Sequence, residues 1–310
     1  MQFLSGEGRS AMPTTIEFKR NKFFIRRNYD ADLRALAPVA DPGLINSPAP
    51  TGFISPLTYS SYGCEWTSPH GTPLAALLGP PYLGGSVAFT PLFTGIGTSL
   101  RQFHGSFRRQ DVAASEKSAL RPRSLLRTCA WVGRAWGNAR AATALQQLEA
   151  RLSLGEWRAV HDAVNRIHES FIDSCGTRRT VVGLGGLSLA NVLITPEDPS
   201  SGWAVLAGPD TCLSPMEYDV GFFLGELAEH AFVYAAAGLP FDDFSVLAAS
   251  FLSGYGATED SELIASAIIF RFLLHILDFS HFVGEIGEWC IYAELVRFFI
   301  DSPLEWISGY

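Results

Sequence analysis

The sequence predicts an α+β protein of two lobes, a small β-rich lobe over residues 1–66 and a larger, mainly helical one over residues 67–310. Three observations carry this reading. β-prone runs crowd the first 66 residues. Helical periodicity takes over from residue 91. One stretch, residues 180–206, then breaks the helices with short apolar runs separated by Gly, Ser, Pro and Asp.

Taken in order, residues 15–27 read as a hairpin, two β-prone runs around a polar Lys-Arg-Asn-Lys turn. Tyr29 to Ala37 has helical spacing at Leu33 and Leu36 and stops before Pro38. A Pro- and Gly-rich loop over 41–57 leads into short strands near Gly52–Leu57 and Tyr59–Trp66, with a turn at Ser68-Pro-His-Gly-Thr-Pro. Helices are then expected at Pro91–Phe107, where Leu92, Ile96, Leu100 and Phe103 form one stripe, at Ala141–Leu152 and at Trp157–Ile172. Thr180–Gly183, Asn191–Ile194 and Trp203–Leu206 are the short apolar runs. Four more helices follow, near Val220–Ala237, Phe241–Gly254, Glu259–Phe282 and Glu285–Ile300.

With 47% hydrophobic and 17% charged residues, the chain reads as globular. Its first residues, Met-Gln-Phe-Leu-Ser-Gly, lack the basic and apolar regions of a secretory signal. The apolar run Leu263–Val283 is interrupted by Arg271, His275, Asp278 and His281, as in a buried helix and not a membrane span. A cytoplasmic protein without a membrane partner is the expectation. Five scattered cysteines with no CxxC or Cys/His ligand spacing argue for buried thiols and against zinc. Cys175, close to Asp173 and His168, fits no nucleophile spacing.

Charge is divided unevenly. Residues 1–179 hold 21 Lys and Arg against 13 Asp and Glu, whereas residues 180–310 hold 2 against 18. An acidic half either attracts a cationic ligand or peptide or keeps the surface soluble. Within the basic half, Arg101–Arg151 carries ten basic and three acidic residues, with Phe107-Arg108-Arg109, Arg121-Pro122-Arg123 and Trp131 to Trp136 inside it. Overall acidity and the absence of a nucleic-acid module argue against nucleic acid. A partner-docking loop or a solvated helix face is expected there.

The segment Leu184-Gly185-Gly186-Leu187-Ser188-Leu189-Ala190-Asn191-Val192-Leu193 resembles the catalytic loop of aminoglycoside phosphotransferases and related choline-kinase-like enzymes. Their pattern is His-Gly-Asp, followed five residues later by Asn and an apolar strand. Val205-Leu206-Ala207 falls where the family has its apolar-apolar-Asp metal motif, and Pro215-Met216-Glu217-Tyr218-Asp219-Val220-Gly221 resembles the stretch after it. Upstream, Ser5-Gly6-Glu7-Gly8-Arg9-Ser10 precedes the hairpin ending Phe24-Ile25-Arg26-Arg27, where the family has a Gly-containing loop and a phosphate-binding Lys. Glu65-Trp66 with Gly71-Thr72-Pro73-Leu74 is similar to its lobe hinge, and Ile96–His104 to its next helix. The resemblance spans most of the chain in order and implies a two-lobed, protein-kinase-like fold, with a catalytic loop at 184–191 and a metal-motif region at 205–219.

The departures from that pattern are chemical. Phosphoryl transfer needs a group that positions and deprotonates the acceptor hydroxyl, and carboxylates that hold Mg²⁺ against the phosphates. Where the family has His and Asp, this chain has Leu184 and Gly186, and the metal-binding Asp is Ala207. Of the metal set Asn191 remains, and a neutral amide makes a poor Mg²⁺ site. Arg26 stands for the Lys, with different geometry. Two readings of Asp210 are open: a displaced metal ligand, or a turn residue after Gly208-Pro209. Asp219 reads as a support for the loop. Arg271, His275 and Asp278 share one helix face, as an internal network that His281 and Glu285 extend or as the floor of a ligand site.

The expected function is therefore a catalytically degenerate protein of this type. Its cleft would hold a small molecule or peptide, cationic or apolar, or it would scaffold a partner enzyme. Candidate ligand-binding residues are Arg26, Glu65, Trp66, Asn191, Asp210, Arg271, His275 and Asp278, with no metal and no Mg²⁺–ATP cofactor expected. Kinase-fold proteins of this type also occur in natural-product pathways, including peptide-modifying complexes. A metal-independent enzyme on the same fold and a phosphotransferase working through Asp210 are the alternatives.

Overall fold

The computed structural model describes residues 14–29, 52–60, 62–78, 86–106, 122–133, 139–173, 180–198, 202–208, 210–239, 242–284, 289–302 and 304–307. The Ser5–Ser10 loop, the helix expected after Tyr29, Phe107–Arg121, Cys175 and Glu285 lie outside them.

The N-terminal sheet contains β1 (Thr14–Lys19), β2 (Lys22–Asn28), β4 (Thr58–Ser60) and β5 (Gly63–Ser68) in the antiparallel order β1-β2-β5-β4. Arg20 and Asn21 close the first hairpin with φ of 52° and 59°, the left-handed pair that a two-residue turn between twisted strands requires. The single strand expected over Tyr59–Trp66 is two strands, β4 and β5. Strand alternation puts Ile25, Arg27 and Trp66 on the inner face and Phe24, Arg26 and Glu65 on the outer face.

A second sheet lies across the seam in the order β3-β9-β8-β6: β3 (Phe53–Ile54), β9 (Trp203–Leu206), β8 (Val192–Ile194) and β6 (Thr72–Pro73). Phe53 and Ile54 pair in parallel with Val205 and Leu206, which ties a stretch from the expected N-terminal lobe to the sheet beneath the cleft. Strand β7 (Thr180–Gly183) pairs with β10 (Cys212–Pro215).

Nine described helices surround these strands: α1 (Leu74–Leu77), α2 (Thr90–Ser106), α3 (Arg123–Val132), α4 (Ala139–Glu149), α5 (Leu154–Asp173), α6 (Met216–Ala236), α7 (Asp242–Tyr255), α8 (Ser261–Asp278) and α9 (Trp289–Asp301). Helix α8 starts on an Asp260 cap, whose carboxylate accepts from Leu263 N at 2.9 Å, and continues as a wider turn over Phe279–Val283. It is long and apolar enough to cross a bilayer, but 83% of that apolar window is buried inside the fold. Helix α6 carries four buried carboxylates, Glu217, Asp219, Glu226 and Glu229. Four of the acidic half's 18 carboxylates thus lie inside the protein and not on its surface.

Candidate functional site in the interlobe cleft

The loop over residues 184–191 runs from β7 into β8. Gly185 and Gly186 have φ of 75° and 111°, a backbone that side-chain-bearing residues rarely adopt. Two carboxylates of α6 hold it from below. Asp219 Oδ2 accepts from Leu184 N and Oδ1 from Gly186 N, both at 2.7 Å, and His104 of α2 lies 3.1 Å from Oδ2. Glu226 accepts from Leu189 N at 2.8 Å and from the Ser188 hydroxyl at 3.2 Å. Asp219 thus supports the loop, as its position in the sequence implied. Leu184, Leu187 and Leu189 turn into the helical core.

Above the loop, the lobes meet in a shared apolar cluster. Ile25, Tyr29, Cys64 and Trp66 come from the upper lobe, and Leu193, Leu206 and Phe282 from the lower. Trp66 is 1% exposed, and its Nε1–H donates to the Ala207 carbonyl at 2.8 Å. Glu65 and Trp66 are therefore mid-strand residues of β5 and not the hinge, because the strand continues to Ser68. Burial pushes the Cys64 thiol up to about 11.

Arg26 does not enter the cleft. It points outward and pairs with Glu65, half-exposed on the same face of the sheet. The cation that reaches the loop is Arg27, one residue on: its Nη1 donates to Asn191 Oδ1 at 2.8 Å and it lies 5.7 Å from the Trp66 ring. Asn191 spends its oxygen on that bond and not on the loop backbone.

Asp210 belongs to a different partnership. It accepts from Arg123 N at 2.9 Å, from Nε at 3.1 Å and from Nη2 at 3.4 Å. Burial alone would raise its pKa, but the Arg123 charge and bonds outweigh that and hold it below the ordinary value. The Arg123 guanidinium also lies 3.9 Å from the Tyr29 ring centroid. One turn along α3, Arg127 makes two bonds to Asp278, Nε at 2.8 Å and Nη2 at 2.7 Å. This part of the basic segment is not a solvated helix face: Arg123 and Arg127 are buried because each has a carboxylate to meet.

Arg271 is buried, His275 and Asp278 are partly buried, and the three divide between two partners. Arg271 lies 3.6 Å from Glu226 and 3.4 Å from Glu229, His275 lies 3.2 Å from Glu229, and Tyr292 donates to Glu229 at 2.8 Å. Asp278 turns instead to Arg127. His281 packs 5.6 Å from the Trp131 ring of α3. His168 lies beside Cys129, with Nδ1 and Sγ 3.5 Å apart.

These residues do not fit Mg²⁺–ATP. The two positions at which the resemblance implies Asp hold Gly186 and Ala207, the Asn191 amide is engaged by Arg27, and Asp210 is bound by Arg123. Among the described residues, no three His, Cys, Asp or Glu side chains gather as a metal-ligand set. A cavity of ≈ 510 Å³ opens elsewhere, between α5, α8 and the end of α9, with Asp162, Arg166, Glu262 and Phe299 on its walls.

No protein-family model matches the sequence, and no curated protein does. Solved structures do match. Spectinomycin phosphotransferase, in a complex with ADP and spectinomycin, shares 14% identity at a TM-score of 0.50, over 97% of this chain and 88% of that one. An aminoglycoside phosphotransferase from Streptomyces rimosus, in complex with ADP and streptomycin, shares 12% identity at a TM-score of 0.49 over 84% and 92%. An ethanolamine kinase from Plasmodium vivax shares 13% at 0.48 over 95% and 83%. This chain has the protein-kinase-like fold. Like spectinomycin phosphotransferase, it has a strand-rich N-terminal part and a helical C-terminal part.

Proposed function

We propose that this chain is a pseudokinase, a kinase-fold protein that transfers no phosphate and whose cleft serves recognition of a partner. One observation carries the reading. Asp219 and Glu226 hold the loop, while among the described residues Gly186 and Ala207 carry no carboxylate and Asn191 and Asp210 are engaged by Arg27 and Arg123. Loss of a general base costs roughly 10²–10⁴ in rate, and loss of the metal site compounds it. The cluster around Trp66 makes the seam between the lobes apolar, which suits an apolar small molecule or a peptide better than a triphosphate. The resemblance makes an enzyme of natural-product biosynthesis the expected partner, which affinity co-purification tests.

A phosphotransferase working through Asp210 is the rival reading, and the Arg123 bonds count against it. The test is a thermal-shift titration of the full chain with ATP, with and without Mg²⁺, since a ligand of the native state raises its melting temperature. No shift in either condition is expected. A shift that requires Mg²⁺, with turnover of ATP, overturns the proposal.

A further inference from the structure

The cavity at the far end of the helical part takes no share in the cleft. Its walls come from α5, the opening turns of α8 and the end of α9. On α8 it runs from Ser261 to Ile269, whereas the end that Arg127 holds is Asp278. At 1.5 Å per residue, Ser261 lies roughly 25 Å along the helix from Asp278. Its space has a local origin. Ala159 and Ala163 on α5, and Ser261 and Ala265 on α8, are each one helical turn apart, so both helices turn short side chains towards the gap.

The floor is apolar. Ala163, Ile269 and Phe299 are buried there, and Ala265 and Leu304 partly so. The rim is acidic. Asp162, Glu262, Asp301 and Glu305 stand exposed around it against one cation, Arg166, so four negative charges and one positive leave −3. Arg166 is already committed, with Nη1 2.7 Å from Glu262. Asp162, Asp301 and Glu305 make no hydrogen bond or ion pair among the described residues. Three of the four rim carboxylates belong to the acidic half of the chain, whose charge thus gathers at a hollow.

A volume of ≈ 510 Å³ suits a small organic molecule. An anion would be repelled by the rim. A bare metal ion gains nothing from the apolar floor, and no metal-ligand set gathers among the described residues. An apolar body carrying an ammonium group meets both surfaces. The body takes apolar area out of water, and the charge rests among unpaired carboxylates at the edge of a low-dielectric wall.

We propose that this cavity is a binding site for a small amphipathic amine. The apolar body lies against Ile269, Phe299 and Leu304, and the ammonium group lies between Asp162, Asp301 and Glu305. The site is separate from the cleft and does not depend on the pseudokinase reading.

The test is isothermal titration of the full chain with octylammonium, 1-octanol and octanoate, which share one alkyl chain and differ in charge. At about 0.05 M NaCl, octylammonium should bind at least about tenfold more tightly than octanol, and octanoate should not bind. The preference for the cation should shrink at about 0.5 M NaCl, where the rim is screened. Asp301→Asn with Glu305→Gln should weaken octylammonium at least about fivefold, and Ala265→Phe, which fills the cavity, should abolish its binding. Octanoate binding as tightly as octylammonium overturns the proposal. Octylammonium binding that neither variant changes, or that is absent up to about 5 mM, does the same. If Ala265→Phe does not fold, the charge variant decides alone, since both of its positions are exposed. The ATP titration reads the cleft, so the two proposals stand or fall separately.

Discussion

Asp219→Ala offers the most direct way to weigh the support beneath the loop. Asp219 is fully buried and accepts two backbone bonds of 2.7 Å, from Leu184 and Gly186, besides its contact with His104. A hydrogen bond to a charged group contributes roughly 1.5–3 kcal/mol, so removing two predicts a loss of about 3–6 kcal/mol. At about 2–4 °C per kcal/mol for a large domain, the melting temperature should fall by roughly 10 °C. Asp219→Asn keeps the shape and one acceptor, and should lose about half as much. Urea denaturation measures the stabilities, and hydrogen exchange at Leu184 and Gly186 reports the loop itself. If Asp219→Ala stays within about 1 kcal/mol of the parent, with both amides still protected, the carboxylate does not hold the loop and the reasoning fails.

Three further outcomes follow from the same packing. Trp66→Ala should cost about 3–5 kcal/mol, as a deleted buried indole does, and should open the seam to an apolar dye; an unchanged urea midpoint and no dye binding would refute that. Cys64, with its thiol pushed up to about 11, should resist iodoacetamide at pH 8 in the native state and react on unfolding, which peptide mass spectrometry reads directly. Burial lowers the His275 pKa below its ordinary 6.5 even though Glu229 pulls the other way, so its stability contribution is complete above pH 6.5 and is lost as the pH falls below it. Glu229, whose pKa the His275 and Arg271 charges depress against burial, contributes above pH 4.5 and gives up its share lower down. His275→Gln should therefore flatten the loss of stability between pH 7 and 5 and, by removing one of the charges that depress Glu229, shrink the acid limb without abolishing it, as urea midpoints from pH 7 to 3 would show.

Periodicity and turn chemistry were enough to read the hairpin, the long helices and the β-loop interruption from the chain alone, because each is a local matter; the Asp219 support came from the resemblance, since Asp219 reaches back to Leu184 and Gly186. The phosphate-side cation was misplaced by one residue for a physical reason. The run Phe23-Phe24-Ile25 is apolar at consecutive positions, so it gives no phase to the strand, and a one-residue slip exchanges its faces. Spacing of Ile25, Arg27 and Tyr29 at every second residue held the missing signal. Helix α3 went unread because its arginines look like surface residues until their partners are known. Asp210 and Asp278 lie 87 and 151 residues downstream, and no local pattern announces such pairings. Its one local signature was Pro122, just ahead of Arg123, Arg127 and Trp131 at four-residue steps.

The backbone at Gly186 limits what a substitution there can do. Its φ of 111° disfavours any residue with a side chain, and a Cβ built there would meet the Phe222 ring at 3.0 Å. An Asp at Ala207 would sit on a residue only 4% exposed, under the indole that its own carbonyl holds. A single substitution to Asp at either place would thus bring in a carboxyl group without room for it to act. Seating one there would need the loop, Phe222 and Trp66 to move together.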